Sequence, residues 1–174
     1  ISKLLFWDLE TVRAEKELIP GTQEYKLFEH KSRDKETGYV LPSKDLIKLY
    51  KKNAALSPVH CKIVCISMGV VVGGKIYVSS YTGTQEEIIR KFSAVLFKGY
   101  KPVGFNIIGY DFPVLRCKAF QEGILDYAPD KLVDSMKKPW NLTDEMLDLM
   151  EVMRGSHYRS MSLAEACYLA TIPT

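Results

Sequence analysis

The chain lacks any apolar run long enough to cross a membrane, and no segment with the charged, apolar and small-residue order of a secretion signal opens it. We therefore expect no membrane partner. The 4 cysteines form no C-x-x-C pair and have no histidine at zinc-finger spacing, which excludes the common structural zinc motifs. Their apolar surroundings are typical of buried free thiols in a reducing cytosol. A formal net charge of +3 at pH 7 is too small to indicate a nucleic-acid partner by itself.

The composition is that of an ordinary globular domain. Hydrophobic residues make up 47% of the 174 positions and charged residues make up 26%. A chain of this length buries most of its apolar surface without disulfides or a structural metal. We therefore expect a single domain over residues 1–174.

Two carboxylates, Asp8 and Glu10, interrupt an apolar run that begins at Leu4 and is typical of a strand buried on both faces. Side chains alternate along a strand, so positions two apart point to the same side. Neighbouring acids repel each other unless a proton or a cation lies between them, and Mg²⁺ or Mn²⁺ prefers carboxylate oxygens. A strand end whose acids simply reach solvent explains the pattern equally well. The same spacing at Asp34 and Glu36, among lysines and with no apolar run before it, predicts plain surface.

Turn and capping signals further along predict a mixed α/β sheet. A two-glycine turn joins two β-prone segments into a hairpin, and capping boxes at Thr84–Glu87 and Ser162–Glu165 each start a helix. A crossover helix then brings the fourth strand parallel to its neighbour. The predicted strands cover residues 4–9, 62–72, 75–81, 101–105 and 132–135, and the predicted helices cover about 84–98, 110–121 and 162–169, with a helix or a strand-to-helix turn over 142–154.

The polar stretch over residues 12–58 is long for a connection between neighbouring strands, and long connections are often functional. Within it, an amphipathic helix follows Ser43, and the polar face of this helix is basic. This face could line a substrate channel, while an ordinary solvated helix face also explains the lysines. The basic residues are Lys44, Lys48, Lys51 and Lys52.

A third acid, Asp111, lies at the predicted start of a helix that directly follows a strand. In open α/β sheets, ligands bind at the carboxyl ends of the strands. If this strand is parallel to the first, Asp111 meets Asp8 and Glu10 at one sheet edge, and the amide of Asn106 lies there as well. The alternative for Asp111 alone is an acid favoured by the helix macrodipole.

Two segments taken together resemble the first two motifs of the DEDD 3′–5′ exonucleases, and especially the proofreading domain of family B DNA polymerases. Trp7–Thr11 resembles the first motif, D-x-E-T. Gly104–Pro113 resembles the second motif, in which an asparagine, here Asn106, precedes an aromatic residue and an aspartate, here Asp111. Residues 44–67 and the last part of the chain further resemble stand-alone bacterial and phage exonucleases related to that domain.

The resemblance implies a ribonuclease H-like three-layer α/β fold with a mixed central sheet, and hydrolysis of single-stranded DNA from its 3′ end with two Mg²⁺ or Mn²⁺ ions. It implies that Asp8 bridges both ions, that Glu10 holds the ion carrying the attacking water, and that Asp111 serves the other ion. The implied setting is DNA replication or repair in a bacterial cytosol or a phage-infected cell, with a replication or repair protein as a further candidate partner. The implied substrate-binding residues are Thr11, Asn106, Lys48, Lys51 and Lys52.

The third family motif, a tyrosine or histidine followed a few residues later by an aspartate, has no match in this chain. Neither His157 nor Tyr168 is followed by a suitable aspartate, and Asp148 belongs by order to the preceding element. We therefore expect the natural protein to continue beyond Thr174 and to supply this acid within about 40 residues, so that residues 1–174 alone hydrolyse little. Two alternatives remain, a non-catalytic nucleic-acid-binding domain of the same fold and an endonuclease or resolvase.

Overall fold

The computed structural model describes residues 3–15, 17–130, 132–133, 145–154 and 161–172. The chain divides into two compact units. The sheet unit consists of Ile1–Glu10 with Ile63–Thr174, and the insertion unit consists of Thr11–Lys62. The predicted insertion over residues 12–58 thus falls within a unit of its own.

The sheet contains five strands in the order β3-β2-β1-β4-β5. β2 and β3 pair antiparallel, whereas β1 pairs parallel with β4, and β4 pairs parallel with β5. The predicted mixed α/β sheet is therefore confirmed, and it is consistent with the ribonuclease H-like fold. The strands are β1 (Leu4–Arg13), β2 (Cys61–Val72), β3 (Lys75–Thr82), β4 (Lys101–Gly104) and β5 (Leu147–Asp148).

One face of β1 carries the core of the sheet unit. Leu5, Trp7 and Leu9 are buried on this face. The indole of Trp7 packs between two phenyl rings, with ring centroids 4.3 Å from Phe92 and 4.9 Å from Phe112. These rings belong to two different helices, which therefore cover the same side of the strand. The helices whose bounds lie within the described residues of this unit are α3 (Gln85–Leu96), α4 (Phe112–Gln121), α5 (Leu149–Arg154) and α6 (Leu163–Leu169).

The expectation that β1 is buried on both faces is wrong. Along the strand, exposed positions alternate with buried ones, and the exposed set includes Asp8, Glu10 and Phe6, whose side chain is 39% exposed. Because Phe6 is apolar, the sequence of β1 read as one continuous apolar run, although only one face of the strand is buried. The acids consequently share an accessible face, as the alternation predicted.

Most of the other predicted elements are confirmed. The hairpin of β2 and β3 turns at Gly73 and Gly74, and both capping boxes are formed at the starts of α3 and α6. The strand predicted over residues 132–135 is wrong in its described part, because residues 132–133 are helical. Positions 134–135, like His157, lie outside the described residues. No helix in the described ranges is long and apolar enough to cross a membrane.

The insertion unit has a hydrophobic core of its own. The predicted basic helix is present as α2 (Ser43–Asn53), and it packs against α1 (Gln23–Ser32), which the sequence did not reveal. The N-cap residue Thr22 accepts a hydrogen bond from the Tyr25 N–H and so fixes the start of α1. A 3-10 turn over Ala54–Leu56 follows α2. The buried core consists of Leu18, Tyr25, Phe28, Leu46, Tyr50 and Ala54.

Candidate functional site

The acids of interest lie past or at the ends of the parallel ladders that join β1, β4 and β5. The parallel ladder between β1 and β4 pairs Leu4–Phe6 with Lys101–Val103, and Asp8 and Glu10 come directly after it. β4 ends at Gly104, which is paired with Asp148 at the end of β5. The sheet therefore gathers these acids at one edge, the position at which open α/β sheets bind their ligands.

Asp111 reaches β1 at the position between the first two acids. Its Oδ1 accepts a hydrogen bond of 3.2 Å from the backbone N–H of Leu9, across 102 positions of sequence. Leu9 separates Asp8 from Glu10, and the side chain of Asp111 is only 3% exposed. The structure thus brings the predicted catalytic and metal-binding residues Asp8, Glu10 and Asp111 together.

The segment that carries Asp111 has an unusual backbone. The chain leaves β4 through Asn106, whose φ of 59° lies in the left-handed region, and then forms a π-helical turn over Ile107–Asp111 before α4. A Cβ at Gly104 would collide with the side chain of Ile107 and would lie 2.9 Å from the carbonyl oxygen of Trp7. Glycine at this position therefore lets β4 end close against β1.

The side chain of Asn106 is half-buried and folds back over its own turn. A Cβ at Gly109 would collide with its Oδ1, so the turn leaves room for this amide only because residue 109 is glycine. The structure therefore places Asn106 on the same turn as Asp111. Its amide lies beside the backbone of that turn.

The acids interact unfavourably with one another. Burial, followed by the negative charge of Asp8, raises the pKa of the Asp111 carboxyl to about 7, although the Leu9 N–H opposes this shift. Partial burial and the charge of Glu10 also raise the pKa of Asp8. Carboxylates held together without a compensating cation are typical of catalytic and metal-binding sites.

The chemistry of these side chains fits a hard divalent cation, because carboxylate oxygens are the ligands that Mg²⁺ and Mn²⁺ prefer. A cation would also offset the burial and the repulsion from Asp8 that raise the pKa of Asp111. Across the described ranges, however, no three acidic, histidine or cysteine side chains are arranged as a ready-made metal site. The described residues therefore include carboxylates suitable as ligands, but they do not form a complete metal site.

Asp148 makes contacts of a different kind. Its Oδ1 accepts hydrogen bonds from the N–H groups of Asn106 at 2.8 Å and Met150 at 3.0 Å, and its Oδ2 accepts one from Ile108 at 3.0 Å. The residue is 3% exposed. Its negative charge is also among the causes that raise the pKa of Asp111. The sequence analysis considered Asp148 only as a substitute for the missing fourth acid, because its spacing from the other motifs carries no signal for backbone contacts.

The remaining predicted substrate-binding residues belong to the insertion unit. The Oγ1 of Thr11 donates a hydrogen bond of 2.9 Å to the carbonyl oxygen of Ala55. The side chains of Lys48, Lys51 and Lys52 are exposed on α2, as predicted for its polar face. They are thus available to solvent, which agrees with both explanations considered for them.

The second acid pair with the same spacing, Asp34 and Glu36, lies on the surface of the insertion unit. Oδ1 of Asp34 accepts hydrogen bonds from the N–H groups of Glu36 and Thr37, and these bonds lower its pKa. The prediction that this pair is plain surface is confirmed. Its acid stabilises a turn, in contrast to the acids of β1.

Comparisons with known proteins found one family and one solved structure that resemble the chain. Residues 54–174 match the family described as a predicted 3′–5′ exonuclease related to the exonuclease domain of PolB. Among solved structures, the chain is similar to the zinc-ion-bound form of the E. coli ExoI–ssDNA complex, with 13% sequence identity and a TM-score of 0.42. That alignment covers 97% of this chain and 30% of the other chain. No curated protein matches the chain.

Proposed function

The chain belongs to the family of predicted 3′–5′ exonucleases related to the exonuclease domain of PolB, and we propose that it removes nucleotides from the 3′ end of single-stranded DNA. The observation that carries the proposal is the hydrogen bond from the Leu9 N–H to Asp111. It supports the proposal because it holds Asp111 against the main chain between Asp8 and Glu10, in the first of the two segments that resemble exonuclease motifs.

We propose that Asp8, Glu10 and Asp111 hold two Mg²⁺ or Mn²⁺ ions. When bound, such ions lower the pKa of water and stabilise the charge that develops on a phosphodiester during hydrolysis. The protein would contribute the carboxylates, and the pKa of Asp111, raised first by burial and then by the charge of Asp8, supports this role. The fourth acidic ligand is not among these residues, and we propose that the full-length protein supplies it.

The proposed substrate-binding residues are those implied by the resemblance to the exonucleases. Asn106, on the turn beside Asp111, and Thr11 would position the terminal nucleotide. Lys48, Lys51 and Lys52 would attract the phosphates of the strand, since charge on phosphates dominates the affinity of single-stranded nucleic acid. The proposed setting is DNA replication or repair in a bacterial cytosol or a phage-infected cell, with a replication or repair protein as a candidate partner.

The experiment uses the full-length protein and a single-stranded oligonucleotide labelled at its 5′ end. With Mn²⁺ present, we expect a ladder of products shortened from the 3′ end, and EDTA should abolish it. An RNA strand of the same sequence tests the choice of DNA. Asp8→Ala should leave the substrate intact, and wild-type hydrolysis by this variant would contradict the proposal.

A non-catalytic nucleic-acid-binding domain is the second candidate. It is favoured by the lack of a complete metal site among the described residues. This candidate predicts that the full-length protein binds the oligonucleotide and produces no shortened strands with any divalent ion. Band-shift and hydrolysis assays on the same samples separate the two functions.

A further inference from the structure

Asp148 occupies a position from which it can contact the turn that carries the second motif. It is the last residue of β5, which pairs parallel with β4, and it lies opposite Gly104 in that ladder. The chain leaves β4 immediately after Gly104 and enters the turn through Asn106. The carboxylate therefore faces the start of the turn from the neighbouring strand.

The carboxylate of Asp148 is largely occupied by backbone donors. A carboxylate has about four acceptor positions. Hydrogen bonds from the N–H groups of Asn106 and Met150 to Oδ1, and from Ile108 to Oδ2, occupy three of them. An acid used in this way is poorly placed to act as a metal ligand, because its oxygens already contact the main chain.

The turn itself needs such an anchor. Asn106 adopts a left-handed conformation that non-glycine residues rarely adopt, and the following π-helical turn lacks the regular ladder of an α-helix. Asp148 binds the N–H groups near the start of the turn, while Asp111 at its end binds the Leu9 N–H on β1. The turn is thus fixed at both ends to the sheet by buried carboxylates.

We infer that Asp148 is a positioning residue, which holds the backbone of residues 106–108 so that Asp111 reaches Asp8 and Glu10. This inference rests on the proposed function and adds a role for a buried acid outside the two motifs. It also accounts for the acid that neither family motif contains. Residues that orient a metal ligand typically change metal affinity or activity about 10- to 100-fold when they are replaced.

The test compares Asp148→Asn with Asp126→Asn, which changes an exposed carboxyl of the same unit, in the full-length protein. In the metal-free proteins, backbone NMR should show that Asp148→Asn moves the amide signals of Asn106 and Ile108 and speeds their hydrogen exchange. Titration with Mn²⁺ should show the wild-type number of bound ions with an affinity weakened about 10- to 100-fold. The kcat should fall by a similar factor, with KM for the oligonucleotide changed by less than about twofold.

Loss of one bound ion in Asp148→Asn would overturn the inference, because it would identify Asp148 as a ligand. Unchanged amide signals or unchanged Mn²⁺ affinity would overturn it as well. If Asp148→Asn does not fold, Asp148→Glu takes its place in the same measurements. Hydrogen exchange in the wild type is a further test, because rapid exchange of the Asn106 and Ile108 amides would mean that Asp148 does not hold them. The amide measurements need neither metal nor DNA, whereas Asp8→Ala tests the proposed function, so the two can fail separately.

Discussion

One polar cluster of the insertion unit and one pair of acids of the sheet unit are arranged in opposite ways. In the insertion unit, Glu24 accepts from the hydroxyl of Tyr50 at 3.3 Å and contacts Nδ1 of His60 at 3.2 Å, so these polar groups pair with one another. In the sheet unit, Asp111 and Asp8 are instead neighbouring acids whose charges oppose each other. Paired polar groups stabilise a core, whereas unbalanced ones persist where function requires them.

Within the sheet unit the same contrast separates two acids of equal burial. Asp111 and Asp148 are each 3% exposed. Asp148 accepts three backbone hydrogen bonds, whereas Asp111 accepts one from the N–H of Leu9 on another element among the described residues. Equal burial therefore accompanies different sets of partners for the two carboxylates.

The largest expected effect comes from the acids of β1. Asp8→Ala in the full-length protein should reduce exonuclease activity to background, and the melting temperature of the metal-free protein should stay equal or rise because the change relieves repulsion. Asp34→Ala is the matched control, since it removes the first acid of the exposed pair with the same spacing. It should keep full activity. A loss of activity in both variants would contradict the contrast between the acids of β1 and the exposed acid pair of the insertion unit.

A large effect on stability is expected from Glu24 in the insertion unit. Glu24→Ala removes an acceptor shared by Tyr50 and His60, and it should lower the free energy of unfolding by about 1–3 kcal/mol. Denaturant titration measures this value. Glu36→Gln, an exposed change in the same unit, should alter it by less than about 0.5 kcal/mol. Equal effects of the two changes would mean that the contacts of Glu24 with Tyr50 and His60 do not stabilise the fold.

The stability of the metal-free protein should depend on pH through Asp111. Its pKa is about 7 in the folded protein and has an ordinary value of 3.8, so the folded state binds more protons between these values. The free energy of unfolding should therefore fall as the pH rises from 5 to about 7.5, by an amount worth a few degrees in melting temperature.

Asp111→Asn should flatten this pH dependence, and Mn²⁺ should stabilise the wild type more at pH 7.5 than at pH 5. Melting temperatures recorded in EDTA and in Mn²⁺ provide the comparison. A wild type whose stability rises over this pH range, in EDTA, would contradict the raised pKa.

The smallest effect concerns the basic face of α2. Replacing Lys48, Lys51 and Lys52 with glutamate should raise KM a few-fold and reduce its salt dependence, with kcat nearly unchanged. Lys98→Glu, an exposed change in the sheet unit, is the control for altered net charge. Salt dependence equal to that of the wild type would leave the lysines as an ordinary solvated face, and the insertion unit as a structural element.

The sequence revealed the parts of the protein that depend on local patterns. The alternation at Asp8 and Glu10, the two-glycine turn and the capping boxes all involve residues a few positions apart, and the structure confirms each of them. Helix α1 escaped notice because few of its residues are apolar, and the expected double burial of β1 was wrong because Phe6 is exposed on the face of the acids.

The sequence by itself determined which residue types were present for metal-dependent chemistry and which strand carried the first two. Only the tertiary structure decided that Asp111 binds the Leu9 N–H, across 102 positions, and that Asp148 binds the Asn106 N–H, across 42 positions. Such contacts arise from the parallel pairing of β1, β4 and β5, which no local periodicity encodes. They form because buried carboxylates need donors, and the nearest donors in the folded chain are backbone amides that are distant in sequence.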